Sequence, residues 1–210
     1  MKIILSIIAF ILFTLAVLQG LLKPVDLAIG GFLIKLGESY YNNIFYWFRF
    51  LGHWNISILI LIGIFILAYK FKARKFALFV LFVFLVMTFV GAGLKQYTNI
   101  KRPFKQFYNT SYEEKVSESS RDAYPSGHTL RTTYLLLVLT GLIAKIGFRR
   151  RIRTAIKWIS YLVILLVGFS SVVIGAHWLS DIIGAFILAY CFYLILLFYS
   201  DYSPLASVKP

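Results

Sequence analysis

The chain holds three histidines, and two stand in surroundings that suit chemistry: His128 in Pro125-Ser126-Gly127-His128, and His177 in His177-Trp178-Leu179-Ser180-Asp181. His177 and Asp181 are four residues apart, which puts ring and carboxylate on one helical face if a helix begins at or before His177. A carboxylate there fixes the imidazole tautomer and stabilises the charge that the ring acquires as a nucleophile. His128 is then a second titratable group, free to give a proton to a leaving oxygen. Upstream, Lys95 and Arg102 bring positive charge, and an arginine fork matches phosphate oxygens. Ser126 and Gly127 stand where the first N–H groups of a helix point outward, a favourable place for an anion that glycine lets come close. The set fits nucleophilic phosphoryl transfer. Each member also has a plainer reading: a histidine that packs, a cation that snorkels, a serine N-cap, or an acid at a helix N-terminus. The functional reading rests on all of them reaching one level of one face.

Apolar helices must set that level. The chain has 210 residues, 60% hydrophobic, 18% aromatic and only 14% charged. A soluble domain carries roughly a quarter charged residues. The nineteen residues from Phe76 to Leu94 carry no charge, a run long enough to span a bilayer. The sequence predicts an all-α integral membrane protein, a single membrane domain over 1–210. Its six spans lie near 3–22, 51–69, 76–94, 126–145, 158–176 and 180–200. The first run has no small-residue cleavage site and is read as a helix rather than a signal peptide. Segment 23–50 is rich in rings (Tyr40, Tyr41, Phe45, Tyr46, Trp47, Phe48, Phe50) and is read as lying along the membrane surface.

Charge sets the orientation. The loops 70–75 and 145–157 together hold ten basic residues and no acidic one, as cytoplasmic loops tend to. Both termini are then cytoplasmic, and the histidine motifs meet at the opposite face. The formal charge of +14 is spread in short basic segments between apolar runs, which suits anionic lipid rather than nucleic acid. The single cysteine, Cys191, excludes an internal disulfide and is read as a small packing residue. His53, on the same face as the motifs, is read as interfacial packing.

These residues resemble the type 2 phosphatidic acid phosphatase superfamily, the metal-independent lipid phosphate phosphatases. Its K-x6-R-P motif is matched by Lys95, Arg102 and Pro103, and its P-S-G-H motif by Pro125, Ser126, Gly127 and His128. Its S-R-x5-H-x3-D motif is matched by Ser170, His177 and Asp181. The resemblance implies a phosphohistidine on His177, oriented by Asp181, with His128 as acid toward the leaving alcohol. It further implies that Lys95, Arg102, Ser126 and Gly127 hold the phosphoryl oxygens, and that neither metal nor cofactor is needed. The expected substrate is a lipid phosphate: an isoprenyl diphosphate, phosphatidylglycerol phosphate, phosphatidic acid or a lipid A phosphate. A compact chain of this family suggests a bacterial inner (plasma) membrane with the site facing the periplasm or outside.

One position departs from the pattern. The third motif has arginine where this chain has Ser171. Losing one preorganised donor costs roughly 3–4 kcal/mol of transition-state stabilisation. Arg131, three residues after His128 and one turn into an apolar helix, is the candidate to reach the phosphate in its place. The competing expectation is that Arg131 snorkels outward or pairs with Glu113, Glu114 or Glu118. Two alternatives to hydrolysis share the scaffold: a phosphotransferase acting on a second lipid, and a lipid-binding or transport protein that has lost catalysis.

Overall fold

The computed structural model describes residues 1–40, 42–103 and 122–202. Tyr41, Glu113, Glu114 and Glu118 lie outside the described residues, as does the side chain of Tyr40. The described residues are helical throughout, joined by short turns. Helix α1 (Lys2–Leu18) leads through a turn with Gly20 at φ 72° into the short α2 (Lys23–Val25) and a π-helical segment, Asp26–Gly30. α3 (Gly31–Tyr40) and α4 (Asn42–Phe50) complete the ring-rich region. The larger helices follow: α5 (Trp54–Lys70), α6 (Arg74–Thr98), α7 (Gly127–Ile146), α8 (Arg150–Val173) and α9 (Leu179–Tyr202).

Four of these, α6 to α9, are singly long and apolar enough to cross a membrane. Two bent pairs bring the number to as many as six when each is counted as one span: Lys2–Leu18 with Lys23–Lys35, bent by 73°, and Ile44–Phe50 with Trp54–Lys70, bent by 42°. The first bend carries the chain away from the axis of α1, the geometry a segment along the surface needs. α8 begins at Arg150, eight residues ahead of the expected 158, because arginine and lysine are good helix formers and nothing in the basic run breaks a helix. It ends at Val173, before Gly175 at φ 69°, where the left-handed backbone favours glycine.

Side chains sort as a bilayer requires. On α8, Trp158, Leu162, Leu165 and Phe169 are exposed, while Ser160, Ser170 and Ser171 are buried. The apolar core joins α5, α6, α7 and α9 around Val80, Met87, Tyr134, Leu135 and Ala189. Tyr134 donates its hydroxyl proton to the Val80 carbonyl at 3.2 Å. α7 lies at the centre, against α5, α6, α8 and α9, while α1 packs on α9 and α4 on α8. The first turns of α7 bury Thr129, Arg131, Thr132 and Thr133, a polar face turned inward that marks a functional interior in a membrane helix.

Candidate active site

The turn between α8 and α9 is built by backbone hydrogen bonds. Both Ala176 and His177 donate their N–H to the Ser171 carbonyl at 3.1 Å, closing the end of α8 around Gly175. His177 is 1% exposed and Asp181 0%. The His177 Nδ1 lies 3.3 Å from Asp181 Oδ2, and the same oxygen accepts from the Trp178 N–H at 2.8 Å. Asp181 therefore does two things: it reaches back over the first turn of α9 as an acid at N3 does, and it orients the imidazole. With Nδ1 toward the carboxylate, Nε2 is the ring atom left for chemistry. Burial, followed by the charges of Lys95, Arg102 and Arg49, holds the His177 imidazole well below its usual range. The ring is thus neutral, as a nucleophile must be.

The second motif is joined to the third directly. The Ser126 N–H donates to the Asp181 carbonyl at 3.1 Å. Ser126 caps α7, its hydroxyl accepting from the Thr129 N–H at 3.5 Å, so the serine also fills its plainer role. At Gly127 a Cβ would stand 3.2 Å from Arg131 Nη1 and 3.9 Å from Lys95 Cε, so both cations border the head of α7. Lys95 Nζ donates to the carbonyls of Asp122 at 3.1 Å and Ala123 at 3.4 Å. Trp178 Nε1 donates to the Lys101 carbonyl at 2.8 Å, fastening the segment that carries Arg102 onto α9. Burial lowers the Arg102 guanidinium from its usual value, and the Asp181 and Asp122 carboxylates act against that.

All eight residues expected from the sequence, His177, His128, Asp181, Lys95, Arg102, Ser126, Gly127 and Arg131, are thus gathered in one cluster. Arg131 is 7% exposed and does not snorkel outward. Its Nη2 donates to the Gly52 carbonyl at 3.4 Å, and its Cζ lies 4.3 Å from the centroid of the Trp54 ring. Beside the cluster, a cavity of about 450 Å³ separates the α1–α2 corner from Arg102 and Trp178, with apolar walls at Val17, Leu22 and Ile100.

The profile of the PAP2 superfamily matches residues 76–204, more than half of the chain and all three motifs. The chain belongs to the PAP2 superfamily. Two solved PAP2-like folds lie near it. One is the first transmembrane PAP2-type phosphatidylglycerolphosphate phosphatase from Bacillus subtilis, with TM-score 0.77, 20% identity and coverage of 96% of each chain. The other is Aquifex aeolicus LpxE, with TM-score 0.60, 22% identity, and coverage of 80% of this chain and 94% of the other. No curated protein matches the sequence.

Several PAP2-site neighbours were not legible from motif spacing. Asp26 is buried, accepting the Ser180 N–H at 2.9 Å on Oδ1 and the Ser180 hydroxyl at 2.6 Å on Oδ2, so it holds the start of α9 from the π-helical segment. The Tyr124 hydroxyl meets Thr14 Oγ1 at 2.8 Å and ties α1 to the loop before Pro125; burial pushes this phenol up to about 12. Gly52 brings the α4–α5 corner onto the site: a Cβ there would stand 2.9 Å from both His128 Cβ and Val167 Cγ1. His53 caps α5, accepting the Asn55 N–H at 3.4 Å, and stacks on Phe50, with its ring centroid 6.3 Å from that of His128. Arg49 belongs to the same corner, hidden in the sequence within a run of rings that reads as an aromatic belt.

Proposed function

We propose that this PAP2 protein dephosphorylates a membrane lipid phosphate through a phosphohistidine on His177. The observation that carries the reading is the buried, neutral imidazole whose Nδ1 faces Asp181 inside a group of cations. His177 Nε2 attacks phosphorus, and the bond from phosphorus to the lipid oxygen breaks. His128, protonated for this step, gives its proton to that oxygen. Water, losing a proton to His128, then attacks the phosphoryl group; the P–N bond breaks, and inorganic phosphate leaves. Lys95, Arg102, Arg131 and the backbone at Ser126 and Gly127 hold the phosphoryl oxygens as charge develops on them. The cavity beside Arg102 and Trp178 suits the lipid part, since its lining combines Val17, Leu22 and Ile100 with Lys23 and Lys101.

The reading also draws on the fold shared with a phosphatidylglycerolphosphate phosphatase. The substrate class covers phosphatidylglycerol phosphate, isoprenyl diphosphates, phosphatidic acid and lipid A phosphates. The basic loop 70–75 and the basic start of α8 support a site on the outer face, with cytoplasmic termini, in a bacterial inner membrane. The test is phosphate release from each of these lipids by the purified protein with chelator present. Release by wild type and none by His177→Ala is the expected outcome. A phosphorylated acceptor lipid without free phosphate turns the reading to phosphotransfer. Lipid binding with neither product turns it to a binding or transport protein.

A further inference from the structure

The third motif lacks its arginine, and Ser171 offers an anion nothing in return. It is fully buried, and its hydroxyl donates to the Val167 carbonyl at 2.7 Å. The replacement comes from another helix. α4 packs on α8, with the Phe45 ring edge-on to Phe169 at a centroid distance of 5.9 Å. Arg49 is four residues from Phe45 and so shares the face of α4 turned to α8. The chain then tightens: the Gly52 N–H donates to the Arg49 carbonyl at 2.9 Å, and Gly52 itself lies against both His128 and Val167. Arg49 is half-buried, and its Nε is shielded from solvent with no hydrogen-bond partner among the described residues.

The charges around it add up to an excess of positive charge. Arg49 acts electrostatically on His128, His177, Arg102 and Arg131, so its guanidinium belongs to the same enclosure as the two histidines. Lys95, Arg102, Arg131 and Arg49 act on one another as like charges, while Asp181 and Asp122 are the carboxylates acting on Lys95 and Arg102. Partly desolvated cations in excess over acids are unfavourable until an anion sits among them. Arg131 approaches from α7 and is already braced on Trp54 and the Gly52 carbonyl, which fastens the corner that presents Arg49.

We propose that Arg49 contacts the phosphoryl group of the substrate and supplies, from α4, the guanidinium that the third motif lacks at position 171. Resting on the phosphoryl-transfer reading of the site, the proposal moves the role of substitute from Arg131 to Arg49 and leaves Arg131 holding phosphate from the α7 side.

The test uses the full chain as wild type, Arg49→Ala, Arg49→Lys, and Arg49→Ala combined with Ser171→Arg. Each is assayed for phosphate release and for binding of orthovanadate, with the thermal midpoint as a check on folding. Arg49→Ala is expected to lose about 10²–10³-fold in kcat/KM and a comparable factor in vanadate affinity. Arg49→Lys keeps the charge but loses the fork, so it recovers only part, and it stands in for alanine if that variant fails to fold. Restoring arginine at 171 in the Arg49→Ala background is expected to return at least about tenfold of what was lost. Arg49 variants within about threefold of wild type in both readouts overturn the proposal, as does a double variant no better than Arg49→Ala. If wild type releases phosphate from no lipid, the phosphatase reading fails. Vanadate binding that depends on Arg49 then supports the proposal, and vanadate binding indifferent to Arg49 overturns it.

Discussion

His128 stands between two regions that are held in different ways. On one side, the α8–α9 turn and the head of α7 are fastened by hydrogen bonds from backbone N–H groups: Ser126 to the Asp181 carbonyl, His177 to the Ser171 carbonyl, Trp178 to the Asp181 carboxylate. On the other, the α4–α5 corner rests mainly on rings and on one close approach, with Phe45 on Phe169, Arg131 over Trp54 and Gly52 against His128, and on one long hydrogen bond from Arg131 to the Gly52 carbonyl. In the proposed mechanism the first region fixes which atoms react. The second closes over them, and its position depends on the absence of a single Cβ. Chemistry is set by directional bonds, whereas enclosure is set by shape, so the two regions answer differently to substitution.

The largest expected effect lies in the first region. His177→Ala lowers phosphate release by about 10⁴-fold or more while the thermal midpoint holds, since the nucleophile is removed and the hydrogen-bonded turn stays. Asp181→Asn follows, at about 10³–10⁴-fold, by leaving the ring in the wrong tautomer. In the second region the two quantities move together. Gly52→Ala forces a Cβ to within 2.9 Å of His128 Cβ and Val167 Cγ1. It is expected to lower kcat/KM by about 10–100-fold through misplacement of His128, and stability by about 1–3 kcal/mol. Gly63→Ala is the control: a Cβ there meets nothing within 4 Å, and the helix gains about 0.5–1 kcal/mol with activity unchanged. If Gly52→Ala is as harmless as Gly63→Ala, the corner does not shape the site. The smallest loss is that of Trp178→Phe, which gives up one hydrogen bond to the Lys101 carbonyl, about 1 kcal/mol in thermal unfolding.

A pH series sharpens the same contrast. The folded His177 stays neutral, while the unfolded imidazole takes up a proton as pH falls through about 6.5. The unfolded state then binds more protons, so stability rises with pH across that range and is lost as pH falls through it. His177→Asn is expected to change the slope of the thermal midpoint between about pH 7.5 and 5.5 by the share this one imidazole contributes, whereas Gly52→Ala shifts the whole curve without changing its slope.

How much was legible in the sequence follows the same division. Lys95, Arg102, Ser126, Gly127, His128, His177 and Asp181 lie at spacings that local geometry controls, next to span ends that hydropathy marks. The six-span frame was legible for the same reason, because long apolar runs have few other uses. The boundaries of α8 were not, since helix propensity carried the helix through a charged stretch that hydropathy treats as loop. Arg49 and Asp26 reach the site from segment 23–50, and Gly52 from the corner just after it, where no periodicity specifies which helix each will meet. Their roles arise from the 73° and 42° bends and from the packing of α4 on α8, which are tertiary facts. Ser171 was the one signal pointing there: a missing charge asks for a replacement without saying from where.

The most direct test of the central claim is to mix the protein with a lipid carrying a labelled phosphoryl group, quench in alkali, and locate the label. The expected result is an acid-labile, alkali-stable label on the peptide containing His177, absent in His177→Ala. Phosphate release by wild type with no label on that peptide at any quench time, together with turnover that survives His177→Ala, would contradict the account.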